Sequence, residues 1–339
     1  MILDLNDEAA VKKYNDFVRT NWRGQATQDT LWGALKANWG HLYVYHENES
    51  GQIDAAMAVL TIEAVPGKLL AYSPRGPIAD FENVELVDSL VNEALEALPN
   101  NVFLLRMDPE VIYDQDLNDR YQAAGYQTRN VQIKSMHGNI QPRKNMVLSY
   151  KDIKNEDDLM THFKRDYRTQ IRHAIKDGMT VDFGHSREFV DDFYETYVMM
   201  ANAQQITYRP KEYFYRMSDL FASTGLFKIF LAHFQGHIVA SGIGFAHGDE
   251  IWYMYAGSDR KYSKHYGPYL LQWEMTKWGL SLQKAEYDFG GVGAFDPSDG
   301  LYRFKHGFTY KDAPREYIGE VDKVLDKDAY DKYLLTFNK

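Results

Sequence analysis

An order of elements that occurs twice constrains this chain more than any single motif in it. Alternation of apolar and polar residues marks strands over 42–46 and 53–62, joined through Glu49-Ser50-Gly51. A strand over 68–72, a turn at Pro74-Arg75-Gly76-Pro77, a helix over 84–97 and a strand over 102–107 follow, the last ending at Asp108-Pro109. A segment starting near Leu117 then closes on Gly125-Tyr126. The same succession returns as a helix over 188–200, strands over 227–233, 237–246 and 250–256, a helix over 267–280, a strand over 285–289 and a segment closing on Gly307-Phe308. Gly51 matches Gly236, Tyr72 matches Tyr255 and Gly125 matches Gly307 at a nearly constant offset. A repeat this long is no solenoid, so the expectation is two copies of one α+β domain.

A chain of 339 residues has room for two such domains, each with its own core. Its 25 Tyr and 18 Phe make aromatic-lined clefts available. The absence of cysteine excludes disulfides, thiolate nucleophiles and Cys-ligated zinc. Acidic residues stand at the start where a signal peptide needs basic ones, and no run is long enough to cross a membrane, so a cytoplasmic location is expected. A net charge of −10 argues against broad coating of nucleic acid, so a partner of that kind needs a local basic patch. Residues 161–176 offer one on a predicted helix. Phe163, Tyr167, Ile171 and Ile175 form its apolar stripe, and Lys164, Arg168, Arg172 and Lys176, with Arg165, form a basic stripe beside it.

Two further stretches carry candidate chemistry. Near the start, after a helix over 7–22, Leu31, Leu35 and Trp39 repeat every four residues, and Trp32 stands one turn before Lys36. Near the end, Glu286-Tyr287-Asp288-Phe289-Gly290-Gly291 reads as a strand running into a glycine pair, followed by Leu301-Tyr302-Arg303-Phe304-Lys305-His306-Gly307-Phe308. The second stretch reads as extended, with Tyr302 and Phe304 on one face and Arg303 and Lys305 on the other. A lysine held beside a glycine-opened strand end would be a fixed cation in a crevice.

The repeated unit resembles the GNAT acyltransferase fold, in which two central strands part at the place of acyl transfer. Acetyl-CoA users of that fold carry a glycine-rich pyrophosphate loop before the central helix. Neither Arg75-Gly76-Pro77-Ile78-Ala79-Asp80 nor Lys261-Tyr262-Ser263-Lys264-His265-Tyr266-Gly267-Pro268 fits it, so an acyl donor other than CoA is indicated.

Two GNAT-like halves, Gln28-Trp32-Lys36 at spacing of four, Thr207-Tyr208-Arg209-Pro210-Lys211-Glu212-Tyr213-Phe214 and the stretch from Leu301 to Phe308 together resemble the FemABX peptidyltransferases. The resemblance extends over essentially the whole chain. It is strongest to short members without a coiled-coil arm, the FemX type acting on UDP-MurNAc-pentapeptide in lactic acid bacteria. It implies domains at 1–147 plus 315–339 and at 148–314, with the tail folding back on the first. It implies an enzyme that needs no cofactor or metal, acts as a monomer, and moves an amino acid, alanine, from aminoacyl-tRNA to the lysine ε-amine of UDP-MurNAc-pentapeptide. Lys36, with Trp39, and Arg209 match the family's phosphate ligands. Thr207, Tyr213 and Tyr255 match residues lining the UDP-sugar channel, and Phe304 and Lys305 match the pair where the tRNA ester meets the acceptor amine.

The implied chemistry is aminolysis of an ester without a covalent enzyme intermediate. Lys305 would stabilise the developing oxyanion, the carbonyl of Phe304 would orient the amine, and Asp108 is a candidate to orient or deprotonate it. A CoA-dependent N-acyltransferase and a non-catalytic tRNA or nucleotide-sugar binding protein are the alternatives. Serine or glycine in place of alanine, and a lipid-linked acceptor, also stay open.

Overall fold

The computed structural model describes residues 1–338. The chain runs α1 (Glu8–Thr20), α2 (Thr30–Leu35), β1 (Gly40–Glu47), β2 (Ile53–Val65), β3 (Lys68–Ser73), α3 (Val84–Ala97), β4 (Val102–Met107), α4 (Gln115–Ala123) and β5 (Gln127–Arg129). Next come β6 (Lys144–Ser149), α5 (Glu156–His162), α6 (Arg165–Lys176), β7 (Thr180–Gly184), α7 (Arg187–Gln204), α8 (Lys211–Phe221), β8 (Phe227–Phe234), β9 (His237–Phe245) and β10 (Glu250–Ser258). It closes with α9 (Gly267–Ser281), β11 (Glu286–Gly291), α10 (Gly300–Thr309), β12 (Arg315–Glu316), β13 (Glu320–Val324) and α11 (Lys327–Leu334). Two compact units divide it. The first takes residues 1–145, 291–294 and the stretch from Arg315 on; the second takes 146–290 and 295–314.

In the first unit a six-stranded sheet runs β1-β2-β3-β4-β13-β5, antiparallel throughout except for β3 and β4, which are parallel with α3 as their crossover. Asn83 starts α3 by accepting from the Leu86 amide. Val87, Leu90, Val91 and Ala94, at helical spacing, then pack on Met57, Val59 and Leu105. The alternate residues of β2, Ala56 and Ala58, face the other way, onto Tyr14 and Val18 of α1. All six residues of β4 are buried, as a strand covered on both faces requires.

The tail completes this unit. β13 inserts between β4 and β5, and α11 lays Ala329, Tyr330 and Tyr333 over Leu70, Phe103 and Leu104. Cross-strand from Asp322 stands Arg106, fully buried, whose Nε and Nη2 donate to the two carboxylate oxygens at 2.8 and 2.7 Å. Glu320 lies 3.0 Å from Arg106 Nη1 and accepts from Arg129 Nε at 2.7 Å.

In the second unit the sheet runs β6-β11-β10-β9-β8-β7. β8, β9 and β10 form an antiparallel meander, and β10 is parallel to β11 with α9 as crossover. The duplication read from the sequence is therefore present: β1-β2-β3-α3-β4 recurs as β8-β9-β10-α9-β11. Gly51 and Gly236 occupy the same hairpin position at φ +71° and +78°, where an L side chain would be strained.

Three local expectations fail. Residues 301–308 are not extended. Asp299 accepts from the amides of Leu301 and Tyr302 and nucleates α10, so Tyr302 stacks on His306 (centroids 4.9 Å apart) and Phe304 meets Phe308 (5.4 Å) one turn on. Gly307 accordingly lies inside a helix, whereas Gly125 ends α4 at φ +85°, so the two are not equivalent. The predicted helix over 161–176 breaks at Phe163-Lys164 into α5 and α6, and Ile175, expected in the apolar stripe, is 50% exposed. Helix α2 stops at Leu35, which leaves Lys36 as its cap and Trp39 beyond it.

Candidate active site

The duplicated strand pairs end differently in the two units. In the first, the parallel ladder runs from Leu69–Val102 to Ser73–Met107, the last residues of both strands. Beyond it Asp108 accepts from the Tyr72 hydroxyl at 2.6 Å and from the Arg75 amide at 2.7 Å. This end is sealed. Burial pushes the Asp108 carboxyl up to about 8, against the lowering effect of those two hydrogen bonds.

In the second unit, the β10–β11 ladder pairs Glu250 with Glu286, Ile251 with Tyr287 and Trp252 with Asp288, and goes no further among the described residues. β10 continues beside β9 as far as Ser258–Ala240, with a register shift between Tyr253 and Tyr255, and β11 turns through Gly290 at φ +81°. The strands fork at this point. A bulge beside a fork turns backbone groups that would have bonded across the ladder toward whatever enters there.

Lys305 stands at the fork. It is 8% exposed, and a Cβ built on Gly290 would lie 3.5 Å from its Nζ and 3.8 Å from the carbonyl oxygen of Tyr253. Glycine at 290 thus serves both the positive φ and the open space beside the ammonium. Burial lowers the Lys305 pKa to about 8, although Asp288 and Asp299 pull it upward. A largely desolvated cation of this kind acts strongly on a charge that develops beside it.

Helix α6 holds α10 from outside. The Lys164 amide donates to the Gly307 carbonyl at 2.9 Å, and the Tyr167 hydroxyl donates to the Arg303 carbonyl at 2.7 Å. A Cβ on Gly307 would sit 2.0 Å from the Tyr167 ring, which explains a glycine inside this helix. Of the basic stripe, Arg165, Arg172 and Lys176 are exposed, while Lys164 and Arg168 are half-buried. Phe304 is half-buried against Tyr269, ring centroids 5.2 Å apart. Tyr269 was not singled out in the sequence; its place in the first turn after Gly267-Pro268 was the available signal.

Three of the expected substrate residues cluster in the second unit. The Arg209 guanidinium lies 4.9 Å from the centre of the Tyr213 ring, and the Tyr213 and Tyr255 rings are 6.5 Å apart. Thr207 is exposed in the loop that leads to α8. In the first unit Lys36 is half-buried with Nζ 5.4 Å from the Trp32 ring centre, and Trp39 packs against the Leu70, Tyr72 and Phe103 cluster. Gln28, part of the motif that carried the resemblance, is a buried structural hub: it donates to the Pro74 carbonyl at 2.8 Å and accepts from the Ala58 amide at 2.8 Å. Among the described residues no helix is long and apolar enough to cross a membrane. The longest helix has 18 residues, which leaves no coiled-coil arm among them.

Solved structures share this fold. A crystal structure of FemX superposes with a TM-score of 0.84 at 21% identity, covering 96% of this chain and 98% of that one. A tandem GNAT protein from the clavulanic acid biosynthesis pathway superposes at 0.55 and 11% identity, covering 96% and 98%. Sequence similarity reaches further. The chain is 42% identical over 331 residues to the UDP-N-acetylmuramoylpentapeptide-lysine N(6)-alanyltransferase of Weissella viridescens, covering 97% of this chain and 98% of the relative. It is 23% identical over 397 aligned positions to the lipid II:glycine glycyltransferase of Staphylococcus aureus, covering 94% and 92%. The family model described as "FemAB family" matches residues 10–238 and 233–336, and on that span and the 42% identity the chain belongs to the FemAB family.

Proposed function

We propose that this protein transfers alanine from aminoacyl-tRNA to the ε-amine of the lysine in UDP-MurNAc-pentapeptide, in the cytoplasm, as the first step of a peptidoglycan side chain. The buried Lys305 ammonium at the fork of β10 and β11 carries this reading, because it supplies the charge that ester aminolysis needs. Near-complete coverage of a relative named for this alanyl transfer supports the choice of substrates.

The amine nitrogen attacks the ester carbonyl, and the carbonyl oxygen becomes an oxyanion that Lys305 faces. The carbon–oxygen bond to the ribose then breaks, and the proton lost by the amine ends on the departing hydroxyl. An amine with an ordinary pKa near 10.4 is protonated at neutral pH, so a base must act first. Asp108, whose carboxyl burial pushes up to about 8, holds its own proton at neutral pH, so its role in this reading is to orient the amine and not to deprotonate it. Phe304 is the platform for the donor end. Lys36 and Arg209 bind phosphate oxygens of the nucleotide, each backed by an aromatic ring, and Trp39, Thr207, Tyr213 and Tyr255 line the nucleotide-sugar path. Lys164, Arg165, Arg168, Arg172 and Lys176 take the tRNA backbone.

The test is incubation with UDP-MurNAc-pentapeptide and a mixture of charged tRNAs, read by mass spectrometry. A gain of one alanyl residue on the pentapeptide is expected. A product formed only from an acyl-CoA, or none from any charged tRNA, overturns the reading.

A further inference from the structure

One cavity in the second unit sets groups not used so far beside Arg165 of the basic stripe. Arg165, Asp166, Thr169 and Gln170 line it from one face of α6, and Tyr266 lines it from the segment before α9. Three observations make it a built site. The Oε1 of Gln170 is buried and accepts no hydrogen bond, although an unsatisfied buried acceptor costs about 1–3 kcal/mol. Tyr266, which lines the cavity, has φ +62°, a left-handed conformation that a bulky aromatic residue rarely adopts. Finally, the rings of Tyr266, Tyr269 and Phe304 follow one another at centroid separations of 5.9 and 5.2 Å, joining the cavity to the residue beside Lys305.

We propose that this cavity holds one unpaired nucleobase of the donor's single-stranded 3′ end, an amino-bearing base stacked on Tyr266 whose exocyclic amine donates to Gln170 Oε1. This rests on the aminoacyl-tRNA reading above and adds the point at which the RNA is read. Single strands are recognised by stacking on aromatic rings and by hydrogen bonds to exposed base edges. Asp166 on the same wall offers a second acceptor, so the lining can take both hydrogens of an amine. Arg165 supplies a cation for the adjoining phosphate, and the rest of the basic stripe continues along the helix. A base here and an aminoacyl ester at Phe304 are joined by a path of aromatic faces.

The experiment replaces amino by oxo bases one at a time over the last four nucleotides of an alanyl-charged minihelix, and measures donor KM for wild type, Gln170→Leu and Tyr266→Asn. Leucine fills the same volume and removes the orphaned acceptor, so Gln170→Leu should melt no lower than wild type. Asparagine tolerates the left-handed backbone and removes only the ring. At one nucleotide the wild type should prefer the amino base by about five- to a hundred-fold. Gln170→Leu should lose that preference, and Tyr266→Asn should raise donor KM for every base at that position. Wild-type transfer from charged RNA with base preferences untouched by Gln170→Leu overturns the nucleobase site and leaves the donor reading intact. Transfer from a non-RNA donor alone overturns both.

Discussion

At the scale of single residues, protonation decides what the two copies can do. Lys305 is pushed down to about 8 by burial, so its ammonium is intact below that pH and lost above it. If the charge stabilises the oxyanion, kcat rises as the acceptor amine deprotonates and levels off as pH passes about 8, where loss of the ammonium offsets the further gain in free amine. Lys305→Met should lower kcat on the order of 10² to 10³, shift either KM little and abolish that levelling, so that its rate keeps rising above pH 8. Lys305→Arg, charged at every accessible pH, should also keep rising above pH 8 while recovering little rate, since a planar fork places its charge elsewhere. A Met variant within a few-fold of wild type would make Lys305 a packing residue. Asp108 carries the opposite sign. Its folded pKa, about 8, lies above the unfolded carboxylate value of about 3.9, so between these the folded state holds a proton that the unfolded state releases. Stability contributed by this group is present below about pH 4 and lost as pH rises toward 8. Asp108→Asn keeps an acceptor for the Arg75 amide and removes the titration. Urea unfolding should therefore show the variant gaining on wild type between pH 5 and 8.5, and parallel curves would mean that Asp108 is ionised throughout.

At the scale of elements, what could be read from the sequence follows the kind of signal each segment carries. Strands with alternating or continuous apolar runs, and α3 with its four evenly spaced apolar residues, stand within a few residues of expectation because periodicity alone specifies them. α10 was missed for a physical reason. Its apolar and charged residues alternate over Tyr302-Arg303-Phe304-Lys305 as a strand's would, and only the Asp299 cap and the one-turn pairs Tyr302–His306 and Phe304–Phe308 reveal the helix. The fork itself leaves no mark in sequence beyond Gly290-Gly291, because a ladder's end depends on which residues pair across strands. The basic stripe was legible as charge, while its contact with α10 through Tyr167 and Gly307 was not. The face of α6 it occupies can be tested. Arg168→Glu with Arg172→Glu should raise donor KM by at least ten-fold, lower the salt dependence of the donor step by about one to two in log–log slope, and leave the UDP-substrate KM unchanged. Equal donor KM in the double variant would return α6 to the role of a strut behind α10.

At the scale of the molecule, the first unit cannot close its sheet without a strand that arrives after the whole second unit has been threaded. β13 supplies that strand, and its Asp322 meets Arg106 in a position with no access to water. Removing one partner of such a pair strands the other charge in a low-dielectric interior, at a cost of about 3–5 kcal/mol. Arg106→Met and Asp322→Leu should each destabilise the first unit by that amount. The double variant should cost less than the two together, because neither charge is then left alone. Glu320 keeps Arg129 as its ion-pair partner and the Ile140 amide as a donor, so the double variant creates no new orphan there. Hydrogen exchange read by mass spectrometry over residues 102–107 and 320–324 locates the loss, since a unit that opens by itself would be averaged away in a global melting curve. Faster exchange in both single variants, largely restored in the double, is the expected pattern. Additive losses would mean that Arg106 and Asp322 are stabilised independently, and that the returning tail is held by Tyr330, Tyr333 and their apolar neighbours instead.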